Sequence, residues 1–530
     1  MRTSLTHSFY FATTLVVVAT PELSRTQPVG AGTPIARFAD SSTVRDSALR
    51  LIYNYYFESA KIDSSLPIKE IVSRLDPFSW YETSAGYARF MRGMNDQELR
   101  YGIQLRSVLG HVILTTVIIG SVADHAGLLP GDELLAAGGY TLFGDDGFAN
   151  SLLRNWDTAT LRLHRTSPDS TWSVALEKAR CASSSVPVVT MIDSQVGYVS
   201  VTGFHNETAE KLQKAVDRLL LRGMRALVID LRGNRGGLVH ECLQAANLFV
   251  HSPDTIMREN SRVAAYVRQH SLVDDALYPT LPLALLVDNA SCSAAEMFSG
   301  ILQDLDRAVV VGQPTTGKSL VMRFFELPNS EKLYLATAYY TLPSGRSVQR
   351  PYQNDKFIGG DYRDFESCDN SHHTIDSDLA EAQCPTFKTA TGRNMIPFAG
   401  IIPDYIVSHA VFYPDWLRDA VEGAAALYLQ RNADWLINTT TIDSFDHHCQ
   451  LPVKLIEWTL DTIRAHDTTA KKLLSAQLAW MVPKLIKANV AYSIWGARGF
   501  FLLWERNSGT VRRAAELVSK PPSLAVLEKH

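Results

Sequence analysis

Cysteine is scarce in this chain, six in 530 residues, too few for a fold built on disulfides. A dominant charge of one sign is missing as well. Lys and Arg total 51 against 55 Asp and Glu, a formal net charge of −4, so there is no general basic surface for nucleic acid. Long hydrophobic runs are also wanting. The only early apolar stretch, Phe9 to Ala19 after Arg2, is too short to span a bilayer and has the form of a secretory h-region, with Val17-Val18-Ala19 as its cleavage site. Residues 1–20 are therefore expected to be a signal peptide, and the protein to be exported, to the periplasm or another extracytoplasmic space. No cysteine follows the cleavage site, so a lipid anchor is not indicated.

Export would permit disulfides, and Cys368 with Cys384, which bracket a polar insert, are the expected pair. Two clusters invite a metal reading: Cys368, His372, His373 and Cys384, and the run His447-His448-Cys449. Neither has the ligand spacing of a usual zinc site, and adjacent ligands bind one ion poorly. No metal and no organic cofactor is expected.

What is present is concentrated between residues 281 and 318. Two short runs rich in Val and Leu, Pro282 to Val287 and Ala308 to Val311, read as buried strands. Just beyond the first stands Ser293, and after the second stands Lys318, 318 − 293 = 25 residues later. A serine hydroxyl needs a neighbour to take its proton, and a lysine does this only when neutral. Burial supplies that condition, because desolvation disfavours the ammonium, and Lys318 lies between apolar segments at 309–311 and 320–322.

The same residues allow a rival reading. Gly312 to Ser319 satisfies the nucleotide-binding pattern G-x-x-x-x-G-K-[ST] after a strand-like run. Such a loop must open a helix whose amino end holds phosphate. Here Leu320 to Leu327 is β-rich and stops at Pro328, followed by the strand-like Lys332 to Tyr340.

An ordered series of segments then narrows the choice: Val196 to Val199, Ala226 to Leu238, the Asn289 to Glu296 stretch, Arg307 to Gly312, Thr316 to Lys318, and Pro343 to Ser347. Together they resemble the carboxy-terminal processing (tail-specific) serine proteases. The resemblance implies Ser293 as nucleophile and Lys318 as general base. It implies an oxyanion site built from Gly236 or Gly237 together with Ala294, the glycines letting backbone amides approach a developing charge. It further implies that Asp230, Arg232 and Glu296 brace the loops. The pattern is broken at Met322, where the family often has a glutamine that orients the amine. A thioether cannot donate and accepts only weakly, so a dry but less well-aimed lysine is expected.

The resemblance also implies a multidomain α/β architecture. Residues 41–90 are read as an N-terminal helical region, with Ser42 to Ser59 amphipathic and Leu75-Asp76-Pro77-Phe78-Ser79 breaking it; Phe78 stands where the family usually has histidine. Residues 91–185 resemble a PDZ domain, on the strength of Tyr101 to Leu105 and of Gly120 to Leu134. There Gly102, Ile103, Gln104 and Leu105 would bind an extended peptide by strand addition and hold its terminal carboxylate. Residues 190–410 form the protease core, with a polar insert at 351–398, and 411–530 a helical C-terminal region. Within that region helices are expected at Trp416 to Gln430, Val453 to His466, Thr469 to Val490 with a kink at Pro483, and Val511 to Lys520. Its apolar residues suggest a homo-oligomer.

The expected activity is a serine endopeptidase acting on exported polypeptides with free C-termini, with an adaptor or activating partner as a further expectation. The alternative is a weakened or inactive PDZ peptide-binding scaffold, a reading that Met322 keeps open.

Overall fold

The computed structural model describes residues 43–58, 62–94, 99–181, 184–350, 352–353, 356–357, 387–395, 397, 399–407, 415–437, 439, 441–466 and 475–519. The expected signal peptide, the Cys368–Cys384 pair with its neighbouring histidines, and most of the polar insert lie outside them. The chain gathers into two compact units, one from residues 1–94, 193–408 and 514–530, the other from 95–192 and 409–513. The protein is of mixed α/β class.

In the first unit the strands Val196–Ser200, Ala226–Asp230, Leu283–Val287, Val309–Gly312 and Tyr405–Ile406 lie side by side in that order, all parallel. Ala226–Asp230 and Leu283–Val287 are buried at every position. That is why they read as unbroken apolar runs rather than as alternating ones. Helices Thr208–Leu221, Val239–Asn247 and Ala294–Asp304 belong to this layer. The first buries Leu212, Ala215, Val216 and Leu219, the face its periodicity predicts.

A second sheet in the same unit orders Trp80–Glu82, Lys332–Thr341, Ser252–Asn260 and Arg268–Leu272, with Leu320–Glu326 also pairing Lys332–Thr341. Helix Val44–Tyr55 buries Ala48, Leu49 and Ile52, and these share an apolar cluster with Phe78, Leu320, Met322 and Tyr334. Residues 44–94 thus contribute both a helix and an edge strand to the unit that carries Ser293.

The second unit has an antiparallel sheet in the order Ile103–Val108, His111–Val117, Glu133–Ala137, Thr158–Thr166 and Asp169–Glu177, with helix Asp146–Asn155. Helices Asp415–Ile437, Ile442–His448, Val453–His466 and Ser475–Leu503 complete it. The break in the last of these falls at Gly496 (φ 62°, ψ −157°), not at Pro483, which stays inside the helix. Glycine reaches positive φ without steric cost, so the bend settles there. Cys449 is buried with its thiol on the Tyr428 hydroxyl, and no metal-holding cluster exists among the described residues.

Candidate active site

Ser293 sits at the turn between strand Leu283–Val287 and helix Ala294–Asp304, with φ 62° and ψ −113°. A non-glycine residue at that φ is strained by roughly 1–3 kcal/mol and persists only where the surroundings fix it. The surroundings here are dense. Asp288 closes the turn by accepting from the amides of Ala290 and Ser291, and also takes the Gly233 amide at 2.9 Å. Ser291 Oγ donates to the Leu231 carbonyl and the Cys292 amide to the Asn234 carbonyl. The Ser293 turn is thereby stitched to the glycine turn that follows Asp230.

Glu296 holds the serine and lysine backbones in one frame. Its carboxylate, fully buried, accepts from the Ser293 amide at 2.7 Å, the Gly317 amide at 2.6 Å, the Lys318 amide at 2.9 Å and Thr315 Oγ1 at 2.5 Å. Glu296 is the N3 residue of its helix, so the first of these belongs to a capping box. Burial pushes the Glu296 carboxyl up to about 7, against those four donors. Tyr340 adds a second tie, donating to the carbonyls of Ser293 and Lys318.

Ser293 and Lys318 are 0% and 1% exposed. Among the described residues neither Ser293 Oγ nor Lys318 Nζ has a hydrogen-bond partner. Burial lowers the Lys318 ammonium to about 8, while Cys292, Asp76 and Glu296 act in the opposite sense. Two polar atoms buried without partners cost about 1–3 kcal/mol each.

The glycine turn divides the oxyanion expectation. The Gly236 amide donates to Asn234 Oδ1 at 2.8 Å, so it is not free to meet an oxyanion. Its place is set by packing instead: a Cβ on Gly236, at φ 99°, would lie 2.8 Å from Ser293 Cβ and 2.9 Å from the Ala294 nitrogen. Gly237 follows at φ 145°. Ala294 is the first residue of its helix, where the amide has no intrahelical acceptor and the dipole favours negative charge.

Asp230 accepts from Tyr198 Oη at 2.5 Å and pairs with Arg232 at 2.6 Å, so both charges brace the strand end and are spent on each other. Met322 is fully buried in the apolar cluster that contains Phe78. The nucleotide-loop rival fails here. No helix follows Lys318, since Leu320–Glu326 is a strand, and the Gly317 and Lys318 amides that would cradle phosphate are taken by the Glu296 carboxylate.

Asn234, Asp288, Ser291 and Tyr340 were not singled out by sequence reading. Asp288 alone carried a local signal, a short polar side chain at the end of a buried strand, where it closes an Asx-type turn.

In the second unit Gly102 takes φ 85°, and a Cβ there would lie 2.1 Å from Ser121 Cβ. Strand Ile103–Val108 is the sheet edge and pairs on one side with His111–Val117. A cavity of about 710 Å³ adjoins it, lined by Ile103, Gln104, Leu105 and Arg154 together with Glu422 and Tyr492 from the C-terminal helices.

Residues 195–355 match the model of peptidase family S41. A protein of Staphylococcus aureus named "Probable CtpA-like serine protease" is 26% identical over 311 residues, 57% of this chain and 62% of that one. The chloroplastic carboxyl-terminal-processing peptidase 3 of Arabidopsis thaliana is 29% identical over 305 residues, 53% and 58% of the respective chains. The chain thus spans about three fifths of the length of the curated relatives it matches. A solved photosystem II D1 C-terminal processing protease superposes with a TM-score of 0.38 at 21% identity over 60% of this chain and 91% of that one, too loosely to bear on the fold. The resemblance to the carboxy-terminal processing serine proteases read from the motifs holds.

Proposed function

We propose that this relative of the family S41 peptidases is a serine endopeptidase that works by a Ser–Lys dyad. The observation that carries the proposal is the pair of fully buried, unpartnered reacting atoms, Ser293 Oγ and Lys318 Nζ, whose backbones share one carboxylate, Glu296.

In the proposed reaction the neutral Lys318 amine takes the Ser293 proton as Oγ bonds to the scissile carbonyl carbon. The amides of Gly237 and Ala294 receive the oxyanion. The resulting ammonium then protonates the leaving amine as the peptide C–N bond breaks. Water completes hydrolysis of the acyl-serine, with Lys318 again as base. Asp230, Arg232, Glu296, Asn234 and Asp288 hold these groups in place.

Residues 91–185 are proposed as a PDZ domain, with the Gly102 to Leu105 segment taking a polypeptide C-terminus by strand addition. Support comes from the positive φ of Gly102 and from the edge position of Ile103–Val108. The substrates proposed are exported polypeptides with free C-termini, handled outside the cytoplasm, with self-association through the C-terminal helices and an adaptor or activating partner as further parts of the reading. No helix among the described residues is long and apolar enough to cross a membrane.

A second reading, a peptide-binding scaffold with a dormant site, draws on the full burial of both reacting atoms and on Met322. Degradation of casein by the purified protein, beside Ser293→Ala and Lys318→Ala, separates the two. Loss of proteolysis in both variants supports the dyad. Activity surviving in both overturns it, and an inert wild type that still binds C-terminal peptides favours the scaffold.

A further inference from the structure

A buried amine that must present its lone pair to a hydroxyl needs something to fix its direction. In many sites a side-chain amide or carboxylate does so by hydrogen bonding. Nothing of that kind is bonded to Lys318 Nζ among the described residues, and Met322, four residues on, has neither donor nor strong acceptor. The group that does meet the amine comes from far away in sequence. The Phe78 ring centroid lies 4.5 Å from Nζ, inside the range where an aromatic face attracts N–H bonds.

The turn that carries Phe78 is built with care for its position. Asp76, 1% exposed, accepts from the amides of Phe78 and Ser79 at 2.7 Å each and from Ser79 Oγ at 2.6 Å. Ser79 Oγ accepts in turn from the Ala336 amide, and the Trp80–Glu82 strand pairs with Lys332–Thr341. Lys332–Thr341 also pairs with Leu320–Glu326, which starts two residues after Lys318. One sheet therefore fixes both ring and lysine.

We propose that Phe78 is the positioning residue of the proposed base, its ring face taking the N–H bonds of Lys318 so that the amine lone pair points away from the ring. The inference rests on the Ser–Lys reading. An electron-rich face attracts N–H hydrogens and repels a lone pair, so it orients the neutral amine by exclusion. It also favours the ammonium, as do the other charged or titratable groups that face Nζ, namely Cys292, Asp76 and Glu296. Removing the ring therefore lets the lysine lose its proton at lower pH while leaving it poorly aimed.

The test follows phosphonylation of Ser293 by a fluorophosphonate, Oγ bonding to phosphorus as fluoride leaves, between pH 5 and 10, read as intact mass, in the full chain. Phe78→Leu is expected to move the acid limb down by about one pH unit and to lower the plateau about tenfold, while Phe78→Tyr restores both. Pentafluorophenylalanine at position 78, which keeps the ring's size and reverses its face potential, is expected to act like leucine and serves where the leucine variant does not fold. A plateau that drops with an unmoved limb, or a fluorinated ring that behaves as phenylalanine, overturns the inference and leaves the dyad standing. A wild type that is phosphonylated no faster than Lys318→Ala at every pH overturns the dyad and the inference with it.

Discussion

Replacing Lys318 by methionine should make the protein more stable, and by an amount that depends on pH in a defined way. Burial lowers the folded-state amine from 10.5 to about 8, a difference of about 2.5 units, worth about 3 kcal/mol. Below pH 8 the folded and unfolded chains both carry the ammonium, and the whole cost of burying it is present. Between about 8 and 10.5 the unfolded chain holds the extra proton, so wild-type stability rises with pH through that window. Above it the cost is gone. Methionine fills similar volume without a charge, so the gain from Lys318→Met should be about 3 kcal/mol larger at pH 7 than at pH 10.5. Urea denaturation of both proteins at pH 7, 9 and 10.5 measures the difference directly. A variant less stable than wild type at pH 7, or a gain that does not shrink as pH rises, would refute the claim that the lysine is held in a dry site against its charge.

Turnover of an unstructured peptide should fall about tenfold per pH unit below about 8 and level above it, because only the neutral Lys318 is a base; a flat rate across that range contradicts the assignment. Gly236→Ala should cut kcat/KM at least tenfold and destabilise by about 1–3 kcal/mol, because its Cβ would press on Ser293 Cβ and the Ala294 nitrogen from a backbone at φ 99°; near-normal kinetics would show that the glycine turn is not packed against the nucleophile. Glu296→Gln should lower activity and shift thermal unfolding downward, since an amide nitrogen replaces one of the acceptor oxygens now shared by three backbone amides and Thr315; an unchanged melting temperature would argue that the carboxylate is already protonated and weakly bonded.

Much of the sheet and helix layout was legible because its elements are local. Ala226–Asp230 and Leu283–Val287 are buried on both faces, so their apolar runs announce a parallel sheet without help from distant residues. Helix Val453–His466 starts and ends where its periodicity predicts. What stayed hidden depends on contacts across the chain. That the Gly236 amide is spent on Asn234 follows from a two-residue hook that composition does not reveal. Glu296 reads in sequence as one charge near a serine, and only the fold gives it the Gly317 and Lys318 amides 21 and 22 residues later. Phe78 stands 318 − 78 = 240 residues before Lys318 and meets it through sheet pairing. The bend at Gly496 instead of Pro483 shows the same limit, since propensity names the weak points of a helix and packing chooses among them.

The most direct test of the central claim is to treat the protein at pH 8 with a fluorophosphonate and map the adduct by peptide mass spectrometry. The account predicts a single modified serine, Ser293, in the wild type, and no modification within the same time in Lys318→Ala. Labelling at another serine, or equal labelling of Ser293 without Lys318, would contradict it.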